Sequence, residues 1–205
     1  MSRRLAALLV PGLLLAQATP GLDPAFFLKD PKAIMVACAD KARAASPKDS
    51  RMLADFGRIY LAAGERERAL DAFKRAAAVG KRDATTHALI ARAWLEQGDT
   101  AAALAAARAM AELGPRNRAL LARTGTDFCA AGHRAEGHEF MERAYKLDPT
   151  DWQMTVDFGK ACLKGKDLEG ATLWFRRTLT GRTEEDQVWK AVGLAYAESA
   201  PLRQP

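Results

Sequence analysis

The sequence of 205 residues is poor in the residues that build disulfide-rich or β-sheet proteins. Three cysteines are too few for a disulfide scaffold, and there is no CxxC pair to form a thioredoxin-like or haem-attachment site. β-Branched residues are sparse, whereas 43 residues are alanine, the best helix former. With 49% hydrophobic and 27% charged residues, the composition is not that of a disordered chain. It predicts a folded, helical protein.

Long apolar runs are also lacking, since no stretch approaches the ~20 apolar residues of a membrane-spanning helix. The chain begins instead with two arginines, a run of 12 largely apolar residues over Leu5–Ala16, and a small-x-small triplet at 16–18. This pattern is typical of a secretory signal peptide. We predict that residues 1–18 are removed by cleavage after Ala18. The mature chain is then expected to lack a transmembrane segment and to be exported, either to the periplasm or out of the cell.

Export bears on the cysteines, because Cys38, Cys129 and Cys162 form an odd set for an oxidising compartment. One alternative is a single disulfide together with one free thiol. The other is three buried cysteines that act as small hydrophobic residues, and we favour this second interpretation. Spacing alone does not decide whether any two of them are bonded.

Small residues recur with a period of 34 along the mature chain. The recurring positions are Gly57, Ala91, Gly125, Gly159 and Gly193. Three residues after each of these comes a larger, mostly aromatic side chain: Tyr60, Trp94, Phe128, Cys162 and Tyr196. Glycines at 64, 98 and 132 and prolines at 47, 115 and 149 follow the same period or its multiples. Registered columns of this kind indicate tandem structural units.

The first unit shows the secondary structure that is expected of each repeat. Apolar residues at helical spacing predict a helix over 51–63, which Gly64 ends, and a second helix over 65–79. We expect the small side chains of Gly57 and Ala69 to meet, so that the two helices cross closely. Such a hairpin has an apolar face that it cannot bury alone, so neighbouring units must stack.

These columns resemble the tetratricopeptide repeat family. The first unit carries the family pattern as Leu53, Phe56-Gly57, Tyr60, Ala69, Phe73 and Ala76. The resemblance implies an all-α fold, a right-handed superhelical solenoid of stacked antiparallel helix pairs. It predicts four repeats at 50–83, 84–117, 118–151 and 152–185. An N-terminal segment, 19–49, would contain a degenerate half-repeat, and residues 186–205 would form a capping helix and tail. His87 and Thr155 are weak substitutes for the bulky residue of the pattern, and Gly137 should loosen its helix by ~1 kcal/mol.

In the family, the first helices of the repeats line a concave groove that holds extended peptides or partner helices. Mapped onto this chain, the groove is mixed, with seven basic side chains against four acidic ones. The candidate groove residues are Arg51, Asp55, Arg58, Leu89, Arg92, Leu95, Arg123, Val156, Lys160, Lys164 and Lys190. Asn117 is the only asparagine, so the subclass that grips a C-terminal carboxylate with paired Asn and Lys/Arg residues is disfavoured. The basic bias predicts a protein partner with an acidic or amphipathic segment.

Motifs of catalysis and cofactor binding are missing. The sequence contains no GxxxxGK, no HExxH and no GxSxG. His133 and His138 lie near Glu136, but their spacing does not place them on one helix face, and we interpret them as exposed turn residues. His87 is expected to be a packed core ring. We therefore predict that the chain is not an enzyme and has no metal site and no cofactor.

Two alternatives to a protein-binding scaffold have to be considered. A nucleic-acid-binding helical repeat of the pentatricopeptide class is one, although its 35-residue period and the export signal here argue against it. A solenoid that handles a bound pigment or cofactor is the other, but no ligand motif supports it. In addition, the apolar face near Phe26, Phe27 and Ile34 would pack locally or against a second copy of the chain.

Overall fold

The structure is a computed structural model that describes residues 30–199. Within that range the chain forms ten α-helices and no strand. The helices are α1 (Pro31–Ala45), α2 (Ser50–Ala63), α3 (Arg66–Val79), α4 (Ala84–Glu96), α5 (Thr100–Leu113), α6 (Arg118–Ala130), α7 (Arg134–Leu147), α8 (Trp152–Lys164), α9 (Leu168–Leu179) and α10 (Asp186–Ser199). The predicted signal peptide, Phe26, Phe27 and the last six residues lie outside the described residues.

Periodic capping residues explain where the first helices begin. Asp49, Asp83, Asn117 and Asp151 are spaced 34 residues apart and precede α2, α4, α6 and α8. Each side chain accepts a hydrogen bond from a backbone N–H of the first turn. Such a cap stabilises a helix by about 1 kcal/mol. The four starts are therefore encoded locally, in the same column of the repeat.

The turn inside each helix pair is equally periodic in the first three units. Gly64, Gly98 and Gly132 all have left-handed φ values, between 75° and 90°. In the fourth unit this column is occupied by Lys166, whose φ is 59°. A residue with a Cβ pays a conformational cost there that glycine avoids. The glycine of this turn stands one place earlier, at Gly165.

The helix pairs stack through their first helices. Each of α2, α4, α6 and α8 packs on its own second helix and on the first helix of the next pair, while the second helices hardly touch one another. The first helices therefore form the tightly curved, inner side of the solenoid, and the second helices form the outer side. This arrangement confirms the predicted all-α solenoid of stacked antiparallel helix pairs.

Close crossing inside a pair differs in detail from our expectation. Gly57 does not simply face Ala69, because a Cβ at Gly57 would overlap the ring of Phe73. Gly159 has the same relation to Phe175. The small residue of the first helix thus makes room for a large side chain of the second helix, and the two fill the same layer of the core.

Two core positions depart from the predicted pattern. His87 is half-buried rather than packed in the core, and its neighbour Thr86 is fully buried instead. The Thr86 hydroxyl is satisfied by Ser50 and Asp83, both at 2.9 Å. Thr155 is also buried, and its hydroxyl accepts a hydrogen bond from Thr178 at 2.8 Å. Paired hydroxyls therefore replace a bulky apolar side chain at these layers.

Between residues 30 and 199, the stack of helix pairs is flanked by one single helix at each end. At the N-terminal end, α1 packs on α2, and the Tyr60 hydroxyl donates to Asp40 at 2.6 Å. At the C-terminal end, α10 covers α8 with Val188, Val192 and Ala195, all buried. No helix between residues 30 and 199 combines the length and the apolar character that crossing a membrane requires.

Candidate functional site

The concave face of the solenoid is the candidate site, and its centre is formed by α4, α6 and α8. A recess of about 260 Å³ lies there between Arg92, Leu95, Asp127 and Lys164. A smaller recess beside it joins Leu89 and Arg123 to Arg92 and Asp127. Five of the predicted groove residues, Leu89, Arg92, Leu95, Arg123 and Lys164, are thus brought together, and the carboxylate common to both recesses is that of Asp127.

That carboxylate, Asp127, was missed by the sequence analysis. It is half-buried on α6, and burial raises its pKa even though the positive charges of Arg92 and Arg123 act in the opposite direction. One signal would have found it: the positions one period before and after it are Ala93 and Ala161. A carboxylate in a column of alanines indicates a role outside the helix packing.

Several predicted basic residues are already neutralised by partners within the chain. Arg92 Nε and Arg58 Nη1 share the carboxylate of Glu96, at 3.0 Å and 4.0 Å. Arg51 Nε binds Asp83 at 3.0 Å. Lys160 Nζ lies 3.3 Å from Glu198. The pairs of Arg58, Arg51 and Lys160 link neighbouring units of the stack, whereas that of Arg92 lies within α4. Much of the predicted basic charge is therefore paired within the chain.

Three of the predicted cations remain exposed and without an ion pair in the described part of the chain. They are Arg123 on α6, Lys164 at the end of α8 and Lys190 on α10. Asp55 is half-buried on α2, away from the central recess. The positive charge that a ligand would meet is therefore concentrated on α6, α8 and α10.

One predicted groove residue is placed differently from our expectation. Val156 is only 4% exposed and belongs to the hydrophobic core, so it does not offer a surface to a partner. Its place on α8 directs the side chain between the helices, which periodicity alone did not distinguish from the groove. Leu89 and Leu95 are half-buried and do line the recesses.

The cysteines and histidines also differ from the sequence-based interpretation. Cys129 and Cys162 are buried as expected, but Cys38 is exposed, because its face of α1 is uncovered within the described residues. His138 is not an exposed turn residue: its Nε2 lies 2.8 Å from Asp167 Oδ2. His133 instead contacts the Thr100 hydroxyl at 3.0 Å. The two histidines therefore serve different environments.

Residues 54–118 match a family model described as tetratricopeptide repeat. This match confirms the predicted resemblance to the tetratricopeptide repeat family. The matched segment spans most of the first predicted tetratricopeptide repeat and all of the second, which contain α2 to α5. No curated protein matches the chain.

Solved structures similar to the chain include two of MamA and one of YrrB. The first MamA structure has a TM-score of 0.49 at 16% identity, with 74% of this chain and 83% of that chain covered. The second has the same TM-score and identity, with 81% and 98% covered. YrrB, described as a TPR protein with an unusual peptide-binding site, has a TM-score of 0.44 at 18% identity, with 80% and 84% covered.

Proposed function

We propose that this chain is a non-catalytic scaffold that binds a segment of another protein in its concave groove. The observation that carries the proposal is the pair of recesses on α4, α6 and α8, where apolar and charged side chains line a continuous surface. A tetratricopeptide repeat presents such a surface on its first helices, and the fold suggests a protein–protein interaction scaffold. The partner would supply side chains that complement this mixture.

The chemistry of the groove favours an acidic or amphipathic segment. Arg123 and Lys164 flank the recess with exposed positive charge, and Leu89 and Leu95 add half-buried apolar surface. A segment that alternates acidic and apolar residues would satisfy both. Because the charged contacts are exposed, we expect binding to weaken as the salt concentration rises.

The N-terminal sequence supports a location outside the cytoplasm. We propose that the chain is exported and works in the periplasm or outside the cell, after cleavage behind Ala18. N-terminal sequencing of the protein recovered from a secreting host checks this directly. The expected mature chain begins at Thr19, and an intact Met1 in the exported protein would contradict the proposal.

A binding experiment with simple probes tests the groove. Fluorescence anisotropy of labelled poly-glutamate, poly-lysine and poly-uridylate, each at two salt concentrations, measures the preference of the full chain. The Arg123→Glu, Lys164→Glu double variant reverses two groove charges that have no ion pair in the described structure. Exposed pairs are each worth up to about 1 kcal/mol, so we expect poly-glutamate binding to weaken about tenfold or more.

The matched control reverses two exposed charges on the outer side, Lys74→Glu on α3 and Arg108→Glu on α5. Arg58 and Arg92 are left unchanged in the groove variant, because those two arginines hold Glu96. Equal losses in both double variants would reject the groove as the binding surface. Preferential, salt-sensitive capture of poly-uridylate would support the nucleic-acid alternative instead.

A further inference from the structure

Four side chains with metal-binding atoms meet where the third predicted repeat joins the fourth. Cys129 comes from the end of α6, His138 from α7, Cys162 from the end of α8, and Asp167 from the turn before α9. One sulfur, nitrogen or oxygen atom from each lies within 4.8 Å of the others. We expected no metal site in this chain, because no standard ligand motif is present and the spacing of His133 and His138 does not place them on one helix face.

The distances within this Cys–His–Asp cluster are short. The two Sγ atoms are 3.3 Å apart, and His138 Nε2 lies 2.8 Å from Asp167 Oδ2 and 3.9 Å from Cys162 Sγ. Both cysteines are fully buried and the Asp167 side chain is 5% exposed, whereas that of His138 is 24% exposed. The cluster is therefore shielded from water except on the imidazole side, which gives an ion a path of entry.

Glycines hold the backbone tightly around these side chains. A Cβ at Gly165 would overlap the Cys129 carbonyl oxygen, and one at Gly137 would lie 2.8 Å from the Cys129 amide nitrogen. At Gly170 a Cβ would lie 2.5 Å from His138 Nε2. The expectation that Gly137 merely loosens α7 is therefore incomplete, because the close approach of α6 and α7 requires it.

Helix stacking does not require a polar cluster at this place. The positions one period before Cys129, His138 and Cys162 are apolar: Phe128 is buried in the hydrophobic core, and Leu95 and Leu104 are partly buried and pack against it. Replacing all three with potential metal ligands at one junction alone suggests a role beyond packing. Two thiolates and an imidazole are soft or borderline donors, which suit zinc and do not suit magnesium or calcium.

We propose that Cys129, His138, Cys162 and Asp167 bind one Zn²⁺ ion, which links the third repeat to the fourth. Zinc binds sulfur at about 2.3 Å and nitrogen or oxygen at about 2.0–2.2 Å, which places neighbouring ligand atoms of a tetrahedron roughly 3.3–3.8 Å apart. Three separations between the ligand atoms, from 2.8 to 3.9 Å, bracket this range, and all four atoms lie within 4.8 Å of one another. Small side-chain movements complete the site.

Zinc binding changes the protonation of both thiols and of the imidazole. Each thiol loses one proton to solvent when its sulfur binds zinc. In the metal-free chain Trp174 Nε1 donates to His138 Nδ1 at 3.3 Å, so Nε2 carries the imidazole proton and donates it to Asp167. Zinc at Nε2 displaces this proton to Nδ1, and the long bond from Trp174 breaks. Two thiolates and one carboxylate leave the zinc site with one negative charge, which Arg134 offsets from 3.8 Å.

Metal titration of the full chain tests the site. The protein is purified with a reductant, stripped with a chelator and titrated with Zn²⁺ by calorimetry, and bound zinc is counted by mass spectrometry. We expect one zinc per chain. Cobalt in its place should give the thiolate-to-cobalt charge-transfer absorption and the intense visible bands of a tetrahedral ion. Zinc should also change Trp174 fluorescence, because its hydrogen bond is lost.

Variants assign the ligands. His138→Leu, which introduces the residue found one period earlier, and Asp167→Asn should each weaken zinc binding more than the roughly 10- to 100-fold caused by losing an outer-shell partner. Circular dichroism monitors folding. If His138→Leu does not fold, Asp167→Asn alone tests the zinc ligands, because asparagine can still accept the hydrogen bond from Gly170 N. Cys38→Ser and Asp99→Asn are the matched controls, and both should bind zinc as the wild type does.

Two results would overturn the proposal. The first is a reduced wild-type chain that binds no zinc, whether or not Cys129 and Cys162 were joined by a disulfide before reduction. The second is a loss of binding in the Cys38→Ser control equal to that in Asp167→Asn, because the ion would then be bound elsewhere.

Discussion

The junction between the third and fourth repeats is polar where the preceding junction is apolar. Leu95, Leu104 and Phe128 pack between the second and third repeats. The residues 34 positions later are Cys129, His138 and Cys162. The same helix frame therefore accepts either set, so the fold itself does not need the polar residues.

The backbone differs between the two junctions as well. In the third repeat the turn between the two helices contains Ala131 followed by Gly132. In the fourth repeat the same two positions are occupied by Gly165 and Lys166. The Cys129 carbonyl oxygen occupies the space that a Cβ at position 165 would need. The glycine is consequently displaced by one position, and Lys166 takes the left-handed conformation. Close packing at the polar junction thus alters the turn beside it.

Gly165→Ala should break the polar junction with the largest effect. The new Cβ would meet backbone, which cannot rotate away, so we expect the free energy of unfolding to fall by about 3 kcal/mol. Ala131→Gly is the matched change at the apolar junction and should cost no more than about 1 kcal/mol. Urea denaturation of both variants measures the difference. Similar losses would mean that the two turns are packed alike.

His138→Leu makes the polar junction resemble the apolar one at a single position. Without metal, it leaves the Asp167 carboxylate and the Trp174 N–H without their histidine partner. A buried polar group left unpaired costs about 1–3 kcal/mol, so we expect a loss of about 2 kcal/mol in thermal or chemical unfolding. Adding Asp167→Asn should recover part of that loss. If the losses of unfolding free energy in His138→Leu and Asp167→Asn simply add up in the double variant, the two side chains act independently.

Lys166→Gly relieves the strained turn of the polar junction. Glycine adopts the left-handed conformation without the Cβ penalty, so we expect the variant to be more stable by about 1 kcal/mol. The reverse change one period earlier, Gly132→Lys, should lose a similar amount, since Gly132 has φ 90°. Chemical denaturation measures both. An unchanged Lys166→Gly variant would show that lysine makes a compensating contact.

The helix frame could be predicted from the sequence because its determinants are local and periodic. Helix caps such as Asp83, turn glycines such as Gly64 and core columns such as that of Phe73 each depend on neighbours a few residues away or one period along. The groove was predicted less completely. Whether Arg92 faces a ligand or Glu96 depends on side-chain geometry, which spacing does not encode.

The zinc-site candidate was missed for a related reason. Motif searches look for ligands close together in sequence, whereas Cys129 and Asp167 meet only after α6 to α9 have packed. The repeat itself contained the signal, since three apolar columns change to Cys, His and Cys at one junction. The positions at which the residue type departs from the rest of its column predict that these three side chains form one polar cluster. The same reading identifies Asp127 in its column of alanines.

The smallest change in the free energy of unfolding is expected for a substitution of Asp127, which lies on the concave side of the same third repeat. Burial raises the pKa of its carboxyl in the folded chain, against the charges of Arg92 and Arg123. The folded chain therefore releases this proton at a higher pH than the unfolded chain does, so the ionised carboxylate costs stability at neutral pH. Below the unfolded value of about 3.9 that cost is absent. Asp127→Asn should raise the free energy of unfolding by about 0.5 kcal/mol near neutrality and leave it unchanged in acid. Denaturation curves at the two pH values check this, and a gain that persists in acid would show that shape rather than charge is responsible.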